Sequence, residues 1–129
     1  MKSIIDFPEA LSRAMVDFSA EETDTGLTVI GMFIFSPDSE VFIGHFPGEP
    51  ILPAVVQLTL VRLLTSRALG KGVLPAGVSR IKFSQVVKPD EPLQLIVKLT
   101  RQAISWSAAF NLNHQAKAVA SGTIKFDEV

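Results

Sequence analysis

Residues 44–70 constrain the fold of this chain more than any other segment. Three prolines, two glycines and a histidine stand directly before a long helical pattern that is free of proline and glycine. Pro53 suits the first turn of a helix, where its missing N–H costs no hydrogen bond, and Gly70 suits the residue after the last turn. These signals predict a central helix over about residues 53–69. Apolar side chains cover nearly all of its faces, and a helix of that kind is normally buried.

The flanking segments favour β-strands joined by short turns. Apart from a short helix predicted over residues 8–18, strand patterns lie at residues 27–35, 79–87, 93–100, 104–112 and 117–126. The alternation of apolar with polar or small residues in the later strands is typical of an antiparallel meander. A curved antiparallel sheet wrapped around one long helix would bury that helix, so we expect an α+β architecture in one domain over residues 1–129. Its uncovered edge strand would favour dimerisation.

Composition excludes several classes of function. The net charge of −1 gives no bulk attraction to nucleic acid or to an anionic membrane. The absence of cysteine rules out disulfides and thiolate chemistry, and with only two histidines, His45 and His114, we expect no histidine-rich metal site. No apolar run approaches the ~18 residues of a membrane span, and the first residues make a poor signal peptide, so we expect a cytoplasmic protein. His114 falls in a predicted hairpin turn, where we expect it to be exposed.

The proline-rich segment also carries a family resemblance. Residues 44–53, GHFPGEPILP, resemble the GHFPxxPxMP signature of the hotdog-fold 3-hydroxyacyl-carrier-protein dehydratases, and AVVQL continues the pattern into the helix. Lys82-Phe83 and the run VKPD at residues 87–90 are similar to a second family pattern, KF followed by V.PGD. The order of elements matches over almost the whole chain, with the fatty-acid and aryl-polyene dehydratases the most similar in character. The resemblance implies a hotdog fold.

The resemblance also implies an activity. Such enzymes remove water from a 3-hydroxyacyl thioester and give a trans-2-enoyl thioester, in fatty-acid or polyketide-like biosynthesis. They need no cofactor of their own, because the acyl group arrives on the phosphopantetheine arm of an acyl carrier protein. They work at least as dimers, with the substrate tunnel between protomers, so we expect a homodimer or a higher homo-oligomer.

The matching positions suggest residue roles. His45 would be the general base that takes the C2 proton, since histidine titrates near working pH. The backbone N–H groups of Ala54 and Val55, at the helix start, would stabilise the thioester enolate; position 54 is usually glycine in the family. Phe46, Pro53 and Phe83 are the candidates to contact the acyl chain, with core packing as the default for both phenylalanines.

One position departs from the family. The dehydratases carry Glu or Asp fourteen residues after the histidine, and Thr59 stands there in this chain. A threonine hydroxyl can hydrogen-bond a water or a substrate hydroxyl, but it is far too weak an acid to replace a carboxyl group. On an apolar helix it is expected to bond to a carbonyl one turn earlier. Two alternatives therefore remain open: a catalytically impaired subunit that binds acyl thioesters or pairs with an active homologue, and an acyl thioesterase.

Overall fold

The computed structural model describes residues 8–42 and 50–129. The described residues form two α-helices, six β-strands and a 3-10 helix. Their order is α1 (Pro8–Ala14), β1 (Met15–Glu22), β2 (Gly26–Phe33), the 3-10 helix (Glu40–Phe42), α2 (Ala54–Leu69), β3 (Val73–Phe83), β4 (Leu93–Gln102), β5 (Ser105–His114) and β6 (Lys117–Glu128). The strands form one antiparallel sheet in the order β1-β2-β4-β5-β6-β3. The predicted α+β class is therefore confirmed.

Helix α2 begins and ends where backbone chemistry favours it. Pro53 has extended backbone angles at the N-cap and provides no side-chain hydrogen bond. At the other end Gly70 adopts the left-handed conformation, with φ of 68°, and its N–H donates to the carbonyl of Ser66. Glycine takes this conformation without the steric penalty of a Cβ, so the helix ends at Leu69.

One face of α2 packs on the sheet and forms the core. Leu60, Val61 and Leu64 are fully buried there. The sheet meets them with the inward-facing residues of its central strands, among them Leu93, Leu95, Val97 and Leu99 of β4. Each such side chain contributes about 1.5–3 kcal/mol of burial energy.

The opposite face of α2 is less covered than its composition predicts. Val55 remains 46% exposed, and Leu58 is only partly buried. Helix α2 is apolar on nearly all faces, but the sheet covers only one of them. The opposite face is open and forms one wall of the groove described below.

Two elements differ from the sequence prediction. The helix predicted over residues 8–18 ends at Ala14, and residues 15–22 form an edge strand because they pair with β2 from Met15↔Phe33 onward. The strand predicted over residues 79–87 runs instead from Val73 to Phe83. Pro75 and Gly77 disfavour a strand locally, yet β3 is an edge strand with irregular register at these positions, where such residues are tolerated.

Neither helix in the part of the chain that the structure describes is long and apolar enough to cross a membrane.

Candidate functional site

A shallow apolar groove of about 260 Å³ runs along the uncovered side of α2. Helix α2 forms one wall, the edge strand β3 the other, and β6 completes the lining; the lining side chains are Val55, Leu58, Thr59, Arg62, Pro75, Val78, Ile124 and Phe126. The four helical residues share one face because they are spaced by three or four positions. Such a groove suits an acyl chain with few polar groups.

The start of α2 offers two unused hydrogen-bond donors beside this groove. The carbonyl of Pro53 accepts the amide N–H groups of Val56 and Gln57, each at 3.1 Å. The N–H groups of Ala54 and Val55 have no acceptor among the described residues. Free amides at a helix N-terminus lie at the positive end of the helix dipole, so they favour a developing oxyanion.

A buried glutamine holds the helix start in place. Leu52 donates its N–H to the carbonyl of Val87 at 2.8 Å, and its own carbonyl accepts a hydrogen bond from Gln57 Nε2 at 3.1 Å. Gln57 is 4% exposed, and no hydrogen-bond donor within the described part of the chain reaches its Oε1. Sequence reasoning missed this residue, although a glutamine on the buried face of an apolar helix is itself a signal of a specific partner.

Thr59 lies in the groove with its hydroxyl proton already engaged. Its Oγ1 donates to the carbonyl of Val55 at 2.7 Å, the bond to the preceding turn that the sequence predicts. The oxygen can still accept a hydrogen bond from a water or a substrate hydroxyl. The groove lining contains no carboxyl group among the described residues, so it offers no general acid of its own.

The other predicted site residues lie elsewhere. His45 and Phe46 fall outside the described residues. Pro53 is the N-cap of α2, and Phe83, 43% exposed, lies at the end of β3; neither lines the groove. The structure thus brings Val55 and Thr59 into one groove, beside the start of the helix at Ala54.

A second cavity, of about 340 Å³, lies between α1 and the segment before the 3-10 helix. Its charged groups already have partners: Arg13 pairs with Glu40 at 3.2 Å, and Asp38 accepts a hydrogen bond from the Ser36 hydroxyl at 2.6 Å. That hydrogen bond lowers the pKa of the Asp38 carboxyl below its usual value. No group of three potential metal ligands occurs in residues 8–42 or 50–129.

Solved structures show which class of fold this is. An uncharacterized protein from Erwinia carotovora subsp. atroseptica superposes with a TM-score of 0.74 at 27% identity, covering 90% of this chain and 96% of that one. The dehydratase heterocomplex ApeI:P from Xenorhabdus doucetiae gives 0.71 at 20% identity, covering 88% and 96%. The fluoroacetyl-CoA thioesterase FlK gives 0.69 at 16% identity, covering 83% and 90%. The predicted hotdog fold is therefore confirmed.

Sequence relatives identify the family within that fold. Residues 19–123 match the ApeI-like family of ApeI dehydratases. The 3-hydroxyacyl-acyl-carrier-protein dehydratase FabZ of Chloroflexus aggregans is 36% identical over 62% of this chain and 60% of that enzyme. The FabZ of Natranaerobius thermophilus is 31% identical over 78% of each chain. The chain belongs to the ApeI-like dehydratase family.

Proposed function

We propose that this protein removes water from a 3-hydroxyacyl thioester carried on an acyl carrier protein and forms a trans-2-enoyl thioester. The observation that carries the proposal is the pair of amides at Ala54 and Val55, which have no acceptor in the described part of the chain and start the helix that walls an apolar groove. The similarity to FabZ enzymes supports the same substrate class. The protein itself would supply no cofactor, since phosphopantetheine comes with the carrier.

The chemistry follows from the groups available. His45, placed by its motif position, takes the C2 proton while the amides of Ala54 and Val55 stabilise the enolate oxygen. The C2–C3 double bond then forms as the C3–O bond breaks. The departing hydroxide takes the proton back from the imidazolium and leaves as water. Thr59 Oγ1 can orient the substrate hydroxyl by accepting its hydrogen bond, because its own proton is held by Val55.

Thr59 cannot act as a general acid, and the missing acid determines the expected rate of dehydration. A positioned general acid typically contributes about 10²–10⁴-fold. We therefore expect dehydration that depends on His45 but is slow relative to an enzyme with an intact carboxyl group. An enoyl product from a 3-hydroxyacyl-carrier-protein, lost in His45→Ala, is the result that tests the proposal.

A dimer through β3 is the assembly that this function would use. The edge strand carries apolar side chains that its own chain leaves exposed, including Leu74 at 51% and Val78 at 60%. The other edge strand, β1, carries Asp17, Glu21 and Glu22 and is protected by charge. A second subunit against β3 would also cover the open side of the groove, because β3 forms one of its walls.

A heteromer is the second candidate, and Thr59 is the observation that favours it. A homologous subunit with Glu or Asp at the corresponding position would restore the missing acid to the assembly. The ApeI:P complex from Xenorhabdus doucetiae is a dehydratase heterocomplex with a similar fold. Mixing this protein with such a homologue should raise dehydration well above the sum of the separate activities. Purely additive rates would contradict the heteromer.

The thioesterase alternative predicts a different product. It would release free thiol from the same substrate without forming an enoyl group. Measuring both products in one reaction separates the two activities, and FlK shows only that the fold also occurs in thioesterases.

A further inference from the structure

Arg62 is the one charged residue among the described side chains that line the groove. Its Nε donates to the carbonyl of Val73 at 2.8 Å, so the side chain is anchored between α2 and the start of β3. This bond uses one of the five N–H donors of the guanidinium. No described carboxylate lies within ion-pair distance of the others.

Arg62 lies at a defined distance from the proposed oxyanion donors. It follows Val55 by seven residues on the same face of α2, which is about 10 Å along the helix axis. The surface between them is apolar, with Leu58 on the helix and Val78 opposite. An acyl chain whose thioester carbonyl lies at the helix start would therefore bring its far end to the guanidinium.

The residue at position 59 determines whether this charge is free. A Glu or Asp there would stand one turn before Arg62, a spacing at which opposite charges pair. Thr59 makes no such pair, because its hydroxyl bonds to the Val55 carbonyl. The same departure that removes the acid thus leaves the guanidinium without a counter-charge among the described residues of the groove.

We propose that Arg62 binds an anionic group, in the simplest case a carboxylate, at the far end of the substrate's acyl chain. The groove would then select thioesters of carboxylate-tipped chains over plain alkyl chains of the same length. Arg62 is exposed, but its bond to the Val73 carbonyl holds the guanidinium in place for a charge-assisted contact with a carboxylate. This inference rests on the proposed function, since it assigns the thioester to the Ala54 and Val55 amides.

The test compares two non-reactive ligands, medium-chain acyl-pantetheine amides of equal length that end in a methyl group or in a carboxylate. The wild-type protein should bind the carboxylate form tighter by roughly tenfold or more. Arg62→Met, which keeps the length of the side chain, should lose this preference, and Arg62→Lys should keep part of it. Arg67→Met is the matched control, because Arg67 is exposed on the same helix but does not line the groove.

The ratio of the two affinities is the readout, so partial unfolding of a variant does not imitate the result. Rising salt should also reduce the preference of the wild type. Equal affinities in the wild type, or a preference that survives Arg62→Met, would overturn the inference. If the methyl-ended 3-hydroxyacyl thioester is dehydrated while no preference exists, only the role of Arg62 fails. If neither ligand binds and neither thioester reacts, the proposed function fails with it.

Discussion

At the scale of single residues, Thr59 limits the chemistry of the groove. Its hydroxyl donates to the Val55 carbonyl at 2.7 Å and so presents only an acceptor to a substrate. Thr59→Glu should raise the rate of enoyl formation by about 10²-fold, since it introduces the missing general acid. Enoyl formation is followed by absorbance or by mass spectrometry of the carrier-bound product.

Two companion variants sharpen this prediction. Thr59→Val matches threonine in shape but removes the hydroxyl, and it should give no gain. Arg62, one turn away, would favour the ionised form of the introduced carboxyl and lower its protonated fraction without abolishing it, so Thr59→Glu combined with Arg62→Met should be faster than Thr59→Glu alone. A gain in Thr59→Val as large as that in Thr59→Glu would contradict the acid role.

Glu128, near the end of β6, has charged or polar contacts with three other side chains. Its carboxylate accepts a hydrogen bond from Trp106 Nε1 at 2.8 Å and pairs with Lys71 at 3.1 Å and Arg101 at 3.3 Å. The Trp106 hydrogen bond, followed by the contact with Lys71, lowers the pKa of this carboxyl. A lowered pKa in the folded state stabilises the fold above the unfolded pKa, and this contribution disappears as the pH falls through the folded pKa.

Glu128→Gln should therefore melt at a lower temperature than the wild type at neutral pH, and the gap should narrow in acid. Thermal unfolding followed by circular dichroism between neutral and acidic pH checks this. Glu21→Gln, an exposed site on β1, makes the same charge change and should show no such gap. A gap for Glu128→Gln that is constant across pH would refute the ionic explanation.

Several residues show where sequence reasoning reaches its limit. The roles implied for Ala54, Val55 and Thr59 came from the motif, and the structure places all three at or near the groove. The role proposed for Arg62 is not visible in the sequence, because its anchor on Val73 depends on how β3 packs against α2. The side chain of His114, predicted to be exposed, is only 19% exposed, and its Nε2 lies 3.2 Å from a Glu91 oxygen.

At the scale of elements, the packing of α2 on the sheet depends on a glycine in β2. A Cβ added at Gly31 would lie 2.8 and 2.9 Å from the two methyl groups of Leu64. Leu64 is fully buried and has little room to move. Gly31→Ala should therefore lower the free energy of unfolding by about 1–3 kcal/mol.

Denaturant unfolding measures this effect. Gly72→Ala is the matched control, because a Cβ there meets only an ordinary contact of 3.6 Å with Val129. The two variants share the same chemical change, so a similar loss of stability in both would show that close packing at Gly31 is not the cause.

The elements also differ in how well the sequence predicts them. The central helix has strong signals at both ends, and its observed range, Ala54–Leu69, is set by them. Strand β1 has weak alternation because it is an exposed edge, and only its pairing with β2 makes it a strand. Edge strands gain their structure from a neighbour in space, which local sequence does not record.

At the scale of the whole molecule, the open side of α2 and the edge of β3 form a surface on which apolar side chains remain exposed. A second subunit against β3 would enclose the groove. Val78→Lys places a charge on this edge and should shift the proposed dimer to a monomer in light-scattering measurements. Val16→Lys, on the edge strand β1 and similarly exposed at 62%, should leave the oligomeric state unchanged. Dissociation by Val16→Lys but not by Val78→Lys would show that the interface lies on β1, and it would contradict a dimer through β3.

We expect the protein to dehydrate its substrate with His45 as the base and the amides of Ala54 and Val55 as the oxyanion donors. Incubating the purified protein with a 3-hydroxyacyl-carrier-protein, and following enoyl product and free thiol together, tests this mechanism. Slow enoyl formation without thiol release is expected, reduced by about 10²-fold or more in His45→Ala. Thiol release without enoyl product, or enoyl formation that His45→Ala leaves intact, would contradict it.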